Sequence, residues 1–195
     1  MSSAKNKTSP SREDSPEDRN ALAPSLNARM SQPFIVIMGV SGCGKTTIAR
    51  ELADRIGGTY LEGDSFHPPE NKAKMGKGIP LDDDDRQPWF DILVEEARDT
   101  LSQGKAPVLA CSALKQSYRD YLSAPFDEFR LVYLEGSFEL IKSRMDARDH
   151  ENMTSDLLES QFATLEEPEA SRHLLTVSIE KTPEDILDEI GNWLN

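Results

Sequence analysis

Three glycines, a lysine and a threonine carry the most legible chemistry in this chain. Gly39, Gly42, Gly44, Lys45 and Thr46 stand in G-x-x-x-x-G-K-[ST] register, the pattern of a loop that cradles the phosphates of a nucleotide. Glycines leave no Cβ to block close approach or positive φ, so the N–H groups of Val40, Ser41, Cys43 and their neighbours can turn inward around an anion. A helix that starts where the loop ends adds unsatisfied N–H groups and the positive end of its dipole. Lys45 is placed to reach the β and γ phosphates and the Thr46 hydroxyl to ligate Mg²⁺, with Thr47 closing the loop. Residues 39–47 thus predict a site for ATP and Mg²⁺.

A second set of residues has the types needed to present an acceptor. Asp64 follows the short apolar run Thr59-Tyr60-Leu61, and open α/β sheets bind ligands at the carboxyl edge of their strands. Asp64 is therefore expected at the acceptor hydroxyl, either directly as a base or through Mg²⁺. The acidic run Asp82-Asp83-Asp84-Asp85 precedes Arg86. It reads either as a solvated loop or as carboxylates that hold Arg86, whose fork can grip a substrate carboxylate with two hydrogen bonds. Lys115 and Arg119 are four apart, a spacing that on a helix aims both at one anion. Arg144 and Arg148, one turn apart, suit a lid that supplies positive charge during transfer; pairing with acids such as Asp149 is the alternative.

The elements that must position these groups follow from periodicity. Phe34–Met38, Thr59–Leu61, Ala106–Cys111, Phe129–Leu134 and His173–Ile179 read as strands, alternating with helical patterns, which predicts an α/β fold with a parallel sheet. Ile48, Ala49, Leu52, Ala53 and Ile56 share one helical face that stops at Gly57-Gly58. Pro88 suits a first helical turn, and Leu93, Ala97 and Leu101 continue that helix to Gly104. Thr182-Pro183-Glu184 opens a last helix with Ile186, Leu187, Ile190, Trp193 and Leu194 as its apolar stripe. Residues 68–88 are too long and polar for a simple link and read as an inserted substrate-capping segment.

Composition narrows the class. The 195 residues fit one α/β domain, and a formal charge of -13 argues against nucleic acid or an anionic membrane as partner. No apolar run approaches the ~20 residues that span a bilayer. Cys43 and Cys111 show neither metal spacing nor a disulfide framework, which predicts a reducing compartment, the cytoplasm. Residues 1–32 are polar with Ser9-Pro10 and Ser15-Pro16, and read as a disordered tail.

Several blocks together resemble a known family. The loop Gly39 to Thr46, Glu62-Gly63-Asp64-Ser65-Phe66-His67-Pro68, Asn71 with Lys74-Met75, Gly78 to Trp89, Cys111-Ser112-Ala113-Leu114-Lys115 with Tyr118-Arg119-Asp120, and Gln161-Phe162 with Thr164-Leu165-Glu166 resemble the gluconokinases of the small P-loop type. The match runs from about Phe34 to the C-terminus. It implies transfer of phosphate from ATP to the 6-hydroxyl of gluconate, feeding the pentose phosphate route. The implied fold is similar to shikimate and nucleoside monophosphate kinases: a three-layer α-β-α kinase domain over 33–195, with a five-stranded parallel sheet, a capping insertion at 68–88 and a lid at about 144–156. A homodimer is implied as well. Carried over by position, His67, Lys74, Arg86, Lys115 and Arg119 belong to the sugar-acid site, beside Asp64, and Arg144 and Arg148 to the lid; this favours the functional reading of Arg86.

The chain departs from the family pattern twice. Family members commonly carry Asp-Gly-Asp where this chain has Glu62-Gly63-Asp64. Three positions past Arg148 they carry a histidine followed by an aromatic residue, where this chain has His150 one position early and then Glu151-Asn152. Rival readings are a nucleoside monophosphate or shikimate kinase and a nucleotide-binding sensor without turnover. The first needs a different acceptor site from Cys111-Ser112-Ala113-Leu114-Lys115, and intact Lys45, Thr46 and Asp64 speak against the second.

Overall fold

The computed structural model of the chain describes residues 32–147 and 155–195. The tail up to residue 31, Arg148, His150 and the centre of the expected lid lie outside the described residues.

Five strands form one sheet: β1 (Phe34–Met38), β2 (Thr59–Glu62), β3 (Pro107–Ala110), β4 (Phe129–Glu135) and β5 (Leu174–Ser178), in the order β2-β3-β1-β4-β5. Every pairing is parallel, so each connection must cross over, and helices fill the crossovers. They are α1 (Lys45–Ile56), α2 (Pro69–Met75), α3 (Asp83–Ser102), α4 (Gln116–Ser123), α5 (Phe138–Asp146) and α6 (Ser155–Thr164), and a last helix, α7 (Pro183–Leu194), follows β5.

Both faces of the sheet are covered, which is why β1 is a continuous apolar run rather than an alternating one. Ile35 and Ile37 point to one core with Ile48 and Leu52 of α1, Ile141 of α5, Leu158 of α6 and Ile186, Leu187 and Ile190 of α7. Phe34, Val36 and Met38 point to the other, with Trp89, Phe90, Leu93 and Ala97 of α3 and Leu122 of α4. The result is the three-layer α-β-α domain. Arg55 ties α1 to α7 by reaching Glu184 at 2.6 Å and Asp188 at 2.8 Å.

Register brings the strand ends level. Ile37 pairs with Ala110, Ala110 with Glu62, and Glu135 with Ser178, so the loops after all five strands emerge at one edge. That edge is where such sheets bind ligands.

Two local expectations change. Ile56, on the expected buried face of α1, is 40% exposed, because α1 ends there at Gly57 in the left-handed conformation. The helix expected from Pro88 begins five positions earlier, at Asp83. Asp82 caps it: its side chain accepts from Asp85 N, and the Asp85 carboxylate accepts from Asp82 N. This reciprocal cap satisfies orphan donors, and three first-turn acids suit the helix dipole. Pro88 then sits inside the helix, where the carbonyl that loses its partner belongs to exposed Asp84 and can bond water.

Candidate active site

The glycine loop connects β1 to α1 at the ligand edge. Gly39, Gly42 and Gly44 have φ of 141°, 84° and 101°, values that L side chains rarely adopt. A Cβ on Gly39 would lie 2.8 Å from Cys43 Sγ and 2.9 Å from the Leu134 carbonyl oxygen, and one on Gly42 would lie 2.9 Å from Met145 Cγ. Gly44 caps α1 without any side-chain hydrogen bond, so the first N–H groups of the helix are left for an anion. The loop's geometry thus fits a phosphate chain. The Lys45 ammonium donates to the Val40 carbonyl at 3.0 Å, folding back over the loop.

At the tip of β2 lies a carboxylate that touches the Thr46 hydroxyl. Thr46 Oγ1 donates to Glu62 Oε2 at 2.9 Å, and the Tyr60 hydroxyl donates to the same oxygen. Burial, then Glu62, raise the Tyr60 pKa, which keeps the phenol a donor. Glu62, at one of the two departures from the family pattern, thus contacts the first turn of the helix that follows the glycine loop. Asp64 is exposed on the 3₁₀ turn Gly63–Phe66 that follows. Trp89 Nε1 holds this turn by donating to the Gly63 carbonyl at 2.8 Å.

The buried thiol of Cys111, at the end of β3, records what converges here. Burial pushes its pKa up to about 12, and the fields of Asp64, Lys45 and Arg86 all reach it. Asp64, Lys45 and Arg86 thus all lie within electrostatic reach of this strand tip.

On the acceptor side, His67 is 6% exposed and stacks on Trp89, with centroids 4.2 Å apart and planes at 18°. Burial lowers its pKa, with Asp64 opposing. The acidic run opens α3 instead of forming a loop, with Asp82, Asp83 and Asp84 exposed, and none of its carboxylates bonds Arg86 among the described residues. Two of the four hold lysines instead: Asp85 accepts from Lys74 Nζ at 2.5 and 2.7 Å, and Asp83 from Lys115 Nζ at 2.8 and 3.0 Å and from the Tyr118 hydroxyl. Arg86 donates to the Leu81 carbonyl at 3.2 Å and lies over the Tyr118 ring, 5.8 Å from its centroid.

Lys115 and Arg119 do not aim at a common point. Lys115 is the N-cap of α4 with extended backbone, φ -88° and ψ 148°, and its ammonium turns to Asp83 while Arg119 turns to main-chain carbonyls. Arg119 is 3% exposed and braces the loop before it, donating to the carbonyls of Ala113 at 3.0 Å and Leu114 at 2.9 Å and to Gln116 Oε1 at 2.7 Å. Arg144, in the last turn of α5, donates to the Ile179 carbonyl at 2.7 Å, and its field reaches the Cys43 thiol of the glycine loop. Gln161 of α6 bonds Ser41 in the same loop, a contact no motif pointed to.

A parallel sheet in this order, with a glycine loop after its central strand and an exposed carboxylate after the edge strand two places away, defines a P-loop kinase. A family model described as "AAA domain" matches residues 34–168. Gluconokinase of Gluconobacter oxydans is 43% identical over 157 residues, covering 80% of this chain and 88% of that protein. Thermoresistant gluconokinase of Escherichia coli is 40% identical over 153 residues, covering 78% and 87%. The crystal structure of a gluconokinase from Sinorhizobium meliloti superposes with a TM-score of 0.75 at 39% identity, over 83% of this chain and 91% of that one. The APS kinase of Mycobacterium tuberculosis, at 15% identity and a TM-score of 0.61 over 84% and 98%, shares the fold alone. The chain belongs to the gluconokinase family.

Proposed function

We propose that the chain catalyses ATP-dependent phosphorylation of D-gluconate to 6-phospho-D-gluconate. The observation that carries this reading is a phosphate cradle, an exposed carboxylate and a set of cations at one sheet edge, in a chain 43% identical to a gluconokinase over most of its length. Residues 39–47 hold the triphosphate, with Lys45 on its β and γ groups. Mg²⁺, when bound, shields the charge of those phosphates; Thr46 and the carboxylates Glu62 and Asp64 are the groups of this chain suited to hold it.

Asp64 orients the terminal hydroxyl of the sugar acid and takes its proton as the oxygen forms its bond to the γ phosphorus and the bond to the ADP oxygen breaks. Arg86, with no carboxylate among its polar contacts in the described residues, is the anchor for the substrate carboxylate. Lys74 and Lys115, each already neutralised by an aspartate, address the hydroxyls, with His67 beside them as a neutral ring. Arg119 supports the site through the loop it braces, and Arg144 supplies charge from the nucleotide side.

A cytoplasmic homodimer completes the proposal, supported by the family resemblance. Among the described residues no helix is long and apolar enough to cross a membrane. The test is ADP release from ATP and Mg²⁺ with a panel of aldonates, shikimate and nucleoside monophosphates. Gluconate is expected to support turnover that Lys45→Ala abolishes; no gluconate-dependent ADP above background refutes the assignment.

A further inference from the structure

The stretch Gln161-Phe162-Ala163-Thr164-Leu165-Glu166 touches both halves of the site, and neither the nucleotide loop nor the acceptor set accounts for it. At its start, Gln161 Oε1 accepts from the Ser41 backbone N–H at 2.6 Å, and Gln161 Nε2 donates to Ser41 Oγ at 3.1 Å. One carboxamide thereby serves the amide and the hydroxyl of a single loop residue, which takes an acceptor and a donor on the same group; a carboxylate could only accept. At its end, Glu166 N donates to the Leu114 carbonyl at 2.9 Å, and the Glu166 carboxylate accepts from the Gln116 backbone N–H at 2.5 Å.

Between these two ends the backbone is stiff. Leu165 N donates to the Gln161 carbonyl at 2.9 Å and to the Phe162 carbonyl at 3.3 Å, and the Leu165 side chain packs against both hydrophobic cores. The acceptor-side loop it reaches is held under tension: Ala113 has φ of 43°, a conformation that costs an alanine on the order of 1 kcal/mol or more. Arg119 grips the carbonyls of Ala113 and Leu114 from below. A strained loop whose shape depends on a few hydrogen bonds is the kind of element that a small shift at one end can reset.

We propose that Gln161 to Glu166 is a strap coupling the ATP loop to the acceptor loop, with Gln161 and Glu166 as positioning residues. Phosphate entering the cradle draws the loop's N–H groups inward, so Ser41 and Gln161 must re-register together. The stiff turn carries that shift to Leu114 and Gln116, which flank Lys115. Occupancy of one substrate site thereby sets the shape of the other.

The decisive measurement is amide hydrogen exchange over residues 112–118 of the full chain, with and without a non-hydrolysable ATP analogue and no sugar acid. In the wild type the analogue alone is expected to slow exchange at Gln116 by about fivefold or more. In Gln161→Ala, still saturated by the analogue, the change is expected to vanish. An unchanged Gln116 rate in the wild type, or an undiminished change in Gln161→Ala, overturns the strap. If that variant does not fold, Gln161→Glu keeps the acceptor and loses the donor, and a full wild-type response there overturns it equally. Calorimetry supplies the second arm, which rests on the gluconate reading. The analogue is expected to tighten gluconate binding by about fivefold in the wild type and by under about twofold in Gln161→Ala. An intact exchange response with no gluconate binding at all refutes the substrate assignment and supports the strap.

Discussion

Replacing Trp89 with phenylalanine tests how the acceptor carboxylate is held. An aromatic ring is retained, so the stack with His67 and the contact with Phe90 persist in part, but the second fused ring is lost together with the indole N–H that donates to the Gly63 carbonyl at 2.8 Å. Trp89 is 4% exposed and Gly63 is buried. The carbonyl is left without a partner where water does not reach it, a loss of about 1–3 kcal/mol. For a domain of this size each kcal/mol lowers Tm by about 2–4 °C, so the lost hydrogen bond is expected to lower it by about 2–12 °C, and the vacated ring volume adds to the fall. Denaturant titration should show the midpoint move at constant slope. Because Gly63 precedes Asp64 in the same short turn, the carboxylate also loses its fixed position, and kcat is expected to fall by about tenfold or more. A variant that melts within about 1 °C of the wild type and turns over at the same rate refutes the argument that Trp89 positions the turn.

Other perturbations have equally definite outcomes. Gly39→Ala sets a Cβ against Cys43 Sγ and the Leu134 carbonyl at positive φ; affinity for an ATP analogue, read by calorimetry, should fall by at least about tenfold. Burial lowers the folded pKa of His67, so the stability contributed by its neutral ring is full above the ordinary value of 6.5 and is lost as pH falls through the lower folded value. His67→Phe should flatten the stability profile below that point in melts taken across pH. Hydrogen bonds from Lys115 and Tyr118 lower the Asp83 pKa, so its contribution holds above 3.8 and disappears in stronger acid. Asp83→Asn should remove that acid-side loss and, by freeing Lys115, raise KM for gluconate by about two- to fivefold with a smaller change in kcat.

What the sequence made legible was local. The strand, glycine loop and helix of residues 34–56 are neighbours in the chain, so residue types alone specify their order and the positive-φ positions. The Thr182 cap was equally readable, its hydroxyl accepting from Asp185 N at 3.2 Å. The start of α3 was misplaced because Pro88 is a strong first-turn signal, while the reciprocal cap of Asp82 and Asp85 uses two aspartates where the usual motif has serine or threonine with glutamate or glutamine. Partner choice was harder still. Asp83 meets Lys115 across 32 positions, and Ser41 meets Gln161 across 120, and neither separation leaves a mark in periodicity. Glu62 and Thr46 meet only because β2 lies two strands from β1, across β3.

That strand order has a consequence for how such an enzyme changes its substrate. With β1 central, the turn and loop that carry Asp64 and Lys115 lie to one side of the glycine loop, after β2 and β3, whereas Arg144 and its Ile179 anchor lie to the other, around β4 and β5. On the proposed assignment, recognition of the alcohol and handling of the phosphoryl donor draw largely on separate stretches of chain. A library confined to positions 65–88, clear of Asp64 and of the loop that the strap reaches, could retarget the protein to a different hydroxyl compound while leaving its fuel supply untouched.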